Sequence, residues 1–545
     1  MFKFTHSVCL ATALLSAPLL FAACSTKPQH VEEPKETMPT EYPKSADAVI
    51  PLLADMIPLD ADVLAFSSYG SLTDAIHQFD TYKVVDSGEL HQLMTDLGTH
   101  YHLDPGDLKS YYNAGLHTGS GLAVGQNKGS VFIVFDILSE KKFNAWWDTF
   151  VNEEFGRPRY HTEKAGDTEF TTIHVLKKDF ASLAHQNGKM LVVLGEAAFP
   201  GSPNSQDALK TILNGPKLAG SAKLTKAAAR LSHAPIAVLA SESSLDNIKH
   251  EKLRDLRQWC TDAGLELSFG TKGPEIRAFA ALRDDAFHGT PRAKFISELT
   301  NGTTGKWAGR ILDTNPTSVV RVLYDAQKLE NFLLPTMPQS TQRQYADIKD
   351  KLTQRLLKLD IEDQVIHNSA SAWAALYGAT APKQQNPSLT DMLLAQNLAI
   401  FLPMKDAAKA DSFFGKVSVL KRFIPENLAT IDPQSDMLHA IVRVQNAQIH
   451  VAYADGLIAA ASEKIWPTVS KIYDAKATSP DSPLLLDTNM LAGTFKTSDI
   501  TSLLGAKYAI VKEQIETFLA PFDSFTVTSA SNADIIECRA FAQTR

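Results

Sequence analysis

Short apolar runs alternate with amphipathic segments along most of the chain after residue 45. Residues 63–66, for example, are followed by Ser71-Leu72-Thr73-Asp74, and Ser and Asp are residues that cap the free N–H groups at the start of a helix. The pattern therefore predicts a strand that leads directly into a helix. It recurs at five further places, which begin at Phe132, Ile236, Val319, Leu398 and Met490.

Pairs of strand-like segments joined by turn residues follow several of these helices. Residues 449–453 and 457–461 flank Asp455-Gly456, and an Asp-Gly pair is a strong signal for a tight hairpin turn. Strand, helix and hairpin together indicate an α+β fold, made of mixed, largely antiparallel sheets with helices on one face. Two further hairpins are predicted, within residues 265–282 and 525–541.

The two halves of this region match one another in the same order. His117 and His367 each precede a strand rich in small residues, and Arg277-Ala278-Phe279-Ala280 near the end of the first half matches Arg539-Ala540-Phe541-Ala542 in the second. Each match is weak alone, but their common order predicts a tandem duplication. The predicted halves are residues 46–295 and 296–545.

The first 24 residues resemble the leader of a bacterial lipoprotein. Lys3 precedes an apolar stretch, residues 8–23, that is short for a membrane span and ends in Phe21-Ala22-Ala23-Cys24. Small residues before a cysteine are similar to the lipobox. The resemblance implies a signal peptide over residues 1–23, acylation of Cys24 and anchoring in a membrane. Because Ser25 follows, where Asp would imply retention in the inner membrane, it favours the outer membrane.

Residues 24–45 are rich in proline and in polar and charged residues. Such a composition buries too little apolar surface to fold, so we expect a flexible, extended tether between the lipid and the body. The whole chain is 44% hydrophobic and 21% charged with a net charge of -8, which indicates a globular body. No basic surplus exists to neutralise phosphates, so nucleic acid is not an expected partner.

Two cysteines remain once Cys9 leaves with the signal peptide and Cys24 carries lipid. Cys260 lies in a helix-like stretch and Cys538 in a strand-like one. Export places both in an oxidising compartment, where a disulfide between them is permitted. Two buried free thiols are the other interpretation.

Each half also contains the pattern Leu-Asp-x-x-Asp between strands, at residues 103–107 and 359–363. The first half opens with a related pattern at residues 58–62, followed by a strand. Together these segments resemble a family of bacterial envelope proteins known only as a domain of unknown function. The resemblance implies an exported, anchored body, and it brings no activity or site residue with it.

The sequence shows no recognisable catalytic motif. Ser139-Glu140-Lys141-Lys142 has the Ser-x-x-Lys spacing of penicillin-recognising enzymes, but no Lys-Thr-Gly accompanies it, so Ser139 is interpreted as a helix cap. The sixteen histidines lack companion acids at metal-ligand spacing, so neither a metal nor another cofactor is predicted. His117 and His367 share a place in the two halves. They are either hydrogen-bonded structural residues or paired ligand-binding or pH-sensing positions.

These observations favour a lipid-anchored envelope protein that acts as a non-enzymatic binding or scaffold module. Its partner is expected to be another envelope protein, peptidoglycan or an apolar ligand. One alternative is a carrier of a lipid or other apolar molecule, which requires an apolar space between sheet and helices. The other alternative is an envelope hydrolase, which requires a serine or a carboxylate beside a histidine in one half.

Overall fold

The computed structural model describes 22 stretches of the chain. They are residues 38–39, 41–81, 103–104, 106–155, 158–175, 177–221, 229–242, 244, 259–270, 272–287, 289–336, 338–355, 360, 362–379, 396–419, 429–434, 437–444, 447–474, 482–507, 516, 519–532 and 534–545. The signal peptide, Cys24 and most of the predicted tether lie outside these residues.

The chain divides between Ala281 and Leu282 into two compact units, which we call unit 1 and unit 2. The predicted division between residues 295 and 296 lies slightly further along the chain. Tyr42, within the predicted tether, donates a hydrogen bond of 2.9 Å from its hydroxyl to Asp74, so this end of the tether belongs to unit 1.

Unit 1 is built on an antiparallel sheet, in which the strands lie in the order β4-β5-β6-β7-β3-β2-β1-β8-β9-β10. Its strands are β1 (Val63–Ser68), β2 (Gly121–Asn127), β3 (Ser130–Asp136), β4 (Arg159–Ala165), β5 (Thr168–Val175), β6 (Lys178–Gln186), β7 (Lys189–Leu194), β8 (Ile236–Ala240), β9 (Cys260–Gly270) and β10 (Gly273–Leu282). Its helices are α1 (Ala46–Leu53), α2 (Tyr69–Thr81), α3 (Leu108–Asn113), α4 (Glu140–Phe155) and α5 (Ser205–Asn214).

Helices cover both faces of this sheet, so the expectation of helices on one face is wrong. Leu122 of β2 packs in a core with α2, α3 and α4, whereas α1 places Val49 against the neighbouring residue Gly121. Successive strand residues point to opposite faces, so α1 lies across the sheet from α4. The buried runs of β2 and β3, apolar at nearly every position, are the reason that both faces need a cover.

Unit 2 has an antiparallel sheet in which the strands lie in the order β16-β17-β18-β19-β15-β14-β13-β20-β21-β22. These strands are β13 (Ser318–Leu323), β14 (Ser371–Leu376), β15 (Leu398–Pro403), β16 (Ala429–Gln434), β17 (Met437–Val444), β18 (Ala447–Ala454), β19 (Leu457–Ser462), β20 (Leu491–Lys496), β21 (Phe522–Asn532) and β22 (Ile535–Thr544). A separate short hairpin joins β11 (Ala286–Phe287) to β12 (Thr290–Pro291).

The α-helices of unit 2 are accompanied, in the described residues, by four single helical turns. They are α6 (Arg292–Leu299), α7 (Ala308–Asp313), α8 (Ala326–Leu333), α9 (Gln339–Arg355), α10 (Ala407–Val419), α11 (Trp466–Val469) and α12 (Thr497–Lys507), with a π-helical turn at Glu362–Ile366 and 3-10 turns at Leu334–Thr336, Ser470–Tyr473 and Pro483–Leu485. Among the helices that the structure describes, none combines the length and the apolar character needed to cross a bilayer.

The strand order of unit 2 repeats that of unit 1 position by position. β13 lies between β14 and β20 as β1 lies between β2 and β8, and the four strands from β16 to β19 repeat those from β4 to β7. Every pairing for which a residue register is given is antiparallel, so the expected mixture of parallel and antiparallel strands is not observed in the described strands.

Local sequence signals account for several element boundaries. The Asp107 side chain accepts a hydrogen bond of 2.9 Å from the Lys109 backbone N–H at the start of α3, and Asp360 accepts one of 3.0 Å from the Asp363 N–H. The capping aspartate is therefore the second acid of the Leu-Asp-x-x-Asp pattern in unit 1 and the first acid in unit 2, whereas the first acid is the expected cap in both. The turn between β18 and β19 holds Asp455 at a φ of 47° and Gly456 at 77°, the left-handed backbone that an Asp-Gly hairpin turn requires.

No disulfide joins Cys260 and Cys538 in the structure, although the sequence permits one. Cys260 is buried and Cys538 is half-buried. Cys260 begins strand β9 rather than lying in a helix as predicted, whereas Cys538 lies in a strand, β22.

Candidate functional site

His117 and His367 occupy the same place in the two units. Each lies four residues before the start of a matching strand, β2 in unit 1 and β14 in unit 2. Their surroundings nevertheless differ in the number of carboxylates that contact the imidazole, and this difference decides which of the two forms a candidate site.

His367 contacts two carboxylates. Its Nε2 lies 2.6 Å from Oε2 of Glu330 in α8 and 3.7 Å from Oε1 of Glu362 in the π-helical turn. The three side chains are only 15–21% exposed. A single imidazole therefore faces two carboxylates in a partly desolvated place, where charges interact more strongly than they do in bulk water.

Tyr345 of α9 extends this cluster. Burial raises the pKa of its phenol to about 12, with further contributions from a hydrogen bond to the Glu330 side chain and from the charges of Glu330 and Glu362. The phenol therefore stays protonated and donates to Glu330. We call Glu330, Tyr345, Glu362 and His367 the carboxylate–histidine cluster.

His117 has a different environment. Its backbone N–H donates a 3.0 Å hydrogen bond to the Asp136 carbonyl, and its Nδ1 is buried with no hydrogen-bond partner within the described part of the chain. Burial raises the pKa of the nearby Asp136 carboxyl, and this effect is opposed by Ser120, Lys189 and His117. His117 thus lies near one carboxyl group and fits a structural role better than a ligand-binding one.

The sequence did not single out the two glutamates beside His367. Glu330 lies 37 residues before His367, in α8, whereas His367 directly follows the π-helical turn. No short motif spans such a gap. The signal that could have revealed the two glutamates is an alignment of the two units by their matching strands. Glu330 lies seven residues after the end of β13, where unit 1 has Ala75, and Glu362 lies nine residues before β14, where unit 1 has Tyr112.

A carboxylate beside a histidine in one unit is also what the hydrolase alternative requires. A nucleophile hydrogen-bonded to the histidine is its second requirement. The serine nearest to His367 in the sequence, Ser369, instead donates 2.8 Å to the Ile366 carbonyl and shares a 3.0 Å hydrogen bond with Tyr324. The cluster therefore has the acids and the base but not this serine as a nucleophile.

Two other histidines of unit 2 form a separate group. Nε2 of His439 and Nδ1 of His450 are 3.0 Å apart, and both rings stack on Trp466 at centroid distances of 5.0 and 5.3 Å. Burial lowers the pKa of His450, the charge of His439 lowers it further, and Glu463 opposes the shift.

One face of each sheet differs sharply between the units. In unit 1 a row of directly paired residues crosses four strands and is fully covered, each residue being 0% exposed. We call this the closed face, and its central row is Ala65, Val124, Ile133 and Val192. Its cover is α4, where Trp147 is 0% and Trp146 is 9% exposed, so both tryptophans belong to the core.

The matching row of unit 2 is partly open. The row consists of Val320, Ala374, Ile400 and Ala460, in which Ile400 is 43% exposed. In the adjacent row on the same face, Val322 of β13 is 39% exposed. Inward-facing residues of the same strands are buried on the other side, as in β14, where buried and half-buried positions alternate strictly. We call the exposed side the open face; its members, none charged, are Val320, Val322, Ala372, Ala374, Leu376, Leu398, Ile400, Leu402, Ile458 and Ala460.

The helix that corresponds to α4 covers only one side of the open face. α10 carries Phe413 and Phe414 where α4 carries the tryptophan pair. Phe414 stacks at 4.1 Å on Tyr453 of β18, and the Tyr453 hydroxyl donates 2.6 Å to Asp411. These contacts hold α10 above β18, while Ile400 remains exposed on β15.

Comparisons with known proteins do not identify the chain. No protein-family model matches it, and no curated protein matches it in sequence. Crystal form IV of TP0453 matches with a TM-score of 0.26 and 7% identity over 42% of this chain and 80% of that one. Crystal form III matches with a TM-score of 0.26 and 10% identity over 46% and 87%. TM-scores this low do not show a shared fold.

Proposed function

We propose that this chain is a lipid-anchored binding protein of the bacterial cell envelope, built from two copies of one ancestral unit. The identical strand order of units 1 and 2 supports the duplication. The lipobox-like segment at Cys24 supports anchoring in the outer membrane, because a multiply acylated cysteine binds a bilayer stably.

Unit 2 is the binding copy, and the observation that carries this assignment is the open face. About 25 cal/mol is lost for each Å² of apolar surface left in water, so an uncharged, half-exposed sheet face that its counterpart keeps fully buried is costly unless something covers it. Of the partners considered, an apolar molecule matches this face best. Peptidoglycan is polar and does not match an apolar surface. The most exposed side chains of the open face, Ile400 and Val322, are only about 40% exposed beside α10, and so narrow an apolar surface fits an acyl chain better than a folded protein.

The test is binding of a fluorescent fatty acid, cis-parinaric acid, to the purified chain. We expect saturable binding that a long-chain fatty acid displaces. Ile400→Glu places a charge in the open face and is expected to weaken binding at least tenfold. Val419→Glu, at a 67% exposed position of α10, is the matched control and should leave affinity unchanged.

Native mass spectrometry of the chain exported to a periplasm gives a second reading of the same proposal. An intact acyl-containing molecule that leaves on denaturation supports it, whereas cleavage products in its place would support the hydrolase. Equal probe binding by the wild type and Ile400→Glu would show that the open face is not the site.

A further inference from the structure

Three metal-ligating side chains of the carboxylate–histidine cluster converge on one point. One donor atom each from Glu330, Glu362 and His367 lies within 4.8 Å of the other two. Ligand atoms sit about 2.0–2.2 Å from a zinc ion, and hence about 3.4 Å from each other in a tetrahedral site. Side-chain movements of about an ångström therefore suffice to bring all three into a coordination sphere.

The charge balance of the cluster favours a cation. One imidazole contacts both carboxylates, with a hydrogen bond of 2.6 Å to Glu330 and a longer ionic contact of 3.7 Å to Glu362, and all three groups are mostly shielded from water. Like charges held together in such a place destabilise each other. A bound divalent ion offsets both carboxylates and replaces the short contact between Glu330 and His367.

The donor set narrows the kind of ion. Calcium and magnesium take oxygen ligands, whereas imidazole combined with carboxylates suits zinc, manganese, iron and cobalt. Three protein ligands leave at least one coordination position for water or for an incoming group, as in open zinc sites. Tyr345, which donates to Glu330, is placed to orient that carboxylate from outside the coordination sphere.

Unit 1 lacks these groups at the matching positions. Ala75 is buried in the core, with 0% exposure, seven residues after β1, and Tyr112 stands where unit 2 has Glu362. His117 alone is kept. Unit 1 therefore provides an internal control, since it has a histidine at the same place without the two glutamates.

We infer that Glu330, Glu362 and His367 form a binding site for one divalent transition-metal ion in unit 2. The ion joins α8 to the π-helical turn, which packs on α10 through the apolar contact of Val365 with Phe413. Metal occupancy therefore fixes the position of helices that border the open face. The inference does not depend on the apolar ligand, since the site is defined by its own three side chains.

The experiment is a titration of the full chain, stripped with a chelator, with Co²⁺ followed by visible absorption and then by competition with Zn²⁺. We expect one ion per chain, displaced by Zn²⁺ and not by Mg²⁺ or Ca²⁺. Glu330→Gln, Glu362→Gln and His367→Ala are each expected to weaken Co²⁺ binding at least tenfold. His117→Ala is the matched control and is expected to leave the titration unchanged.

Circular dichroism of each variant separates loss of the site from loss of the fold. Glu362→Gln keeps the shape of the side chain at a half-buried position. Of the three site variants it is therefore the one least expected to lose metal binding because of misfolding. Absence of saturable Co²⁺ binding, or equal binding by the wild type and all three site variants, would overturn the inference. Loss of Co²⁺ binding in His117→Ala alone would place the metal in unit 1 and overturn it as well.

Discussion

Units 1 and 2 share one strand order but use the same sheet face differently. In unit 1 the row through Ile133 is sealed by the tryptophans of α4, whereas in unit 2 the row through Ile400 stays half open beside α10. The surroundings of the matching histidines differ as well, because two glutamates lie beside His367 whereas unit 1 has no glutamate at the matching positions around His117. Two units with the same strand order thus differ in how completely one face of the sheet is covered.

The largest expected difference concerns the aromatic cover. Trp147 is fully buried among Phe143 and Phe150, so Trp147→Ala is expected to destabilise unit 1 by about 3–5 kcal/mol. Phe414→Ala removes a half-buried ring stacked on Tyr453 and should cost unit 2 about 1–2 kcal/mol. Urea unfolding followed by tryptophan fluorescence measures both; equal losses would contradict the closed and open descriptions.

The central row of the two faces offers a sharper test with identical chemistry. Ile133→Ala creates a cavity in a fully buried core and is expected to cost about 2–5 kcal/mol. Ile400→Ala, at a position already 43% exposed, should cost about 1 kcal/mol. The measurement is the free energy of unfolding of each variant from urea titration. A loss of stability at Ile400 as large as that at Ile133 would mean that the open face is covered in solution.

Matching hairpin turns allow a comparison of backbone strain. Gly188 and Gly456 have φ values of 76° and 77°, so alanine at either place is expected to cost about 1–2 kcal/mol. A methyl group at Gly188 meets open space, whereas one at Gly456 lies 2.9 Å from Cβ of Ala407 in α10. Gly456→Ala should therefore cost about 1 kcal/mol more than Gly188→Ala in thermal unfolding, and the reverse order would show that α10 moves aside freely.

The smallest effect is a dependence on pH that only unit 2 should show through its stacked histidines. The pKa of His450 is lowered in the folded chain, so the unfolded chain binds more protons below its ordinary pKa of 6.5. Stability from this group is present above pH 6.5 and is lost as the pH falls toward the folded pKa. His450→Gln should flatten the pH dependence of unit 2 unfolding between pH 7 and 5, while Ser182→Ala in unit 1, at the matching strand position, should not change it.

Local signals predicted the fold well, and long-range contacts limited the prediction of the site. The Asp455-Gly456 hairpin was readable because its turn depends only on neighbours in the chain. The helices on both faces were missed, although the continuous apolar runs of β2 and β3 indicate two-sided burial. Cys260 was assigned to a helix because its spacing from Trp259 and Leu256 has helical period, yet it begins β9.

The open face and the glutamates of the cluster depend on what lies across space. The run Leu398-Ala399-Ile400-Phe401-Leu402 reads as a strand buried on both sides, and only the placement of α10 leaves Ile400 exposed. Glu330 and Glu362 have the sequence neighbourhood of ordinary surface residues. Their contacts with His367 depend on how α8 and the π-helical turn pack. The hydrophobic periodicity of the sequence does not predict this packing.

The place of β1 in the middle of its sheet has a consequence for how the chain is made. β1 pairs on one side with β2 but on the other with β8, which follows about 170 residues later. Until β8 has been synthesised, one edge of β1 has no strand beside it and is open to wrong pairing. The same delay recurs between β13 and β20. During synthesis the chain therefore passes twice through a stage at which a central strand lacks one neighbour and a chaperone has most to protect.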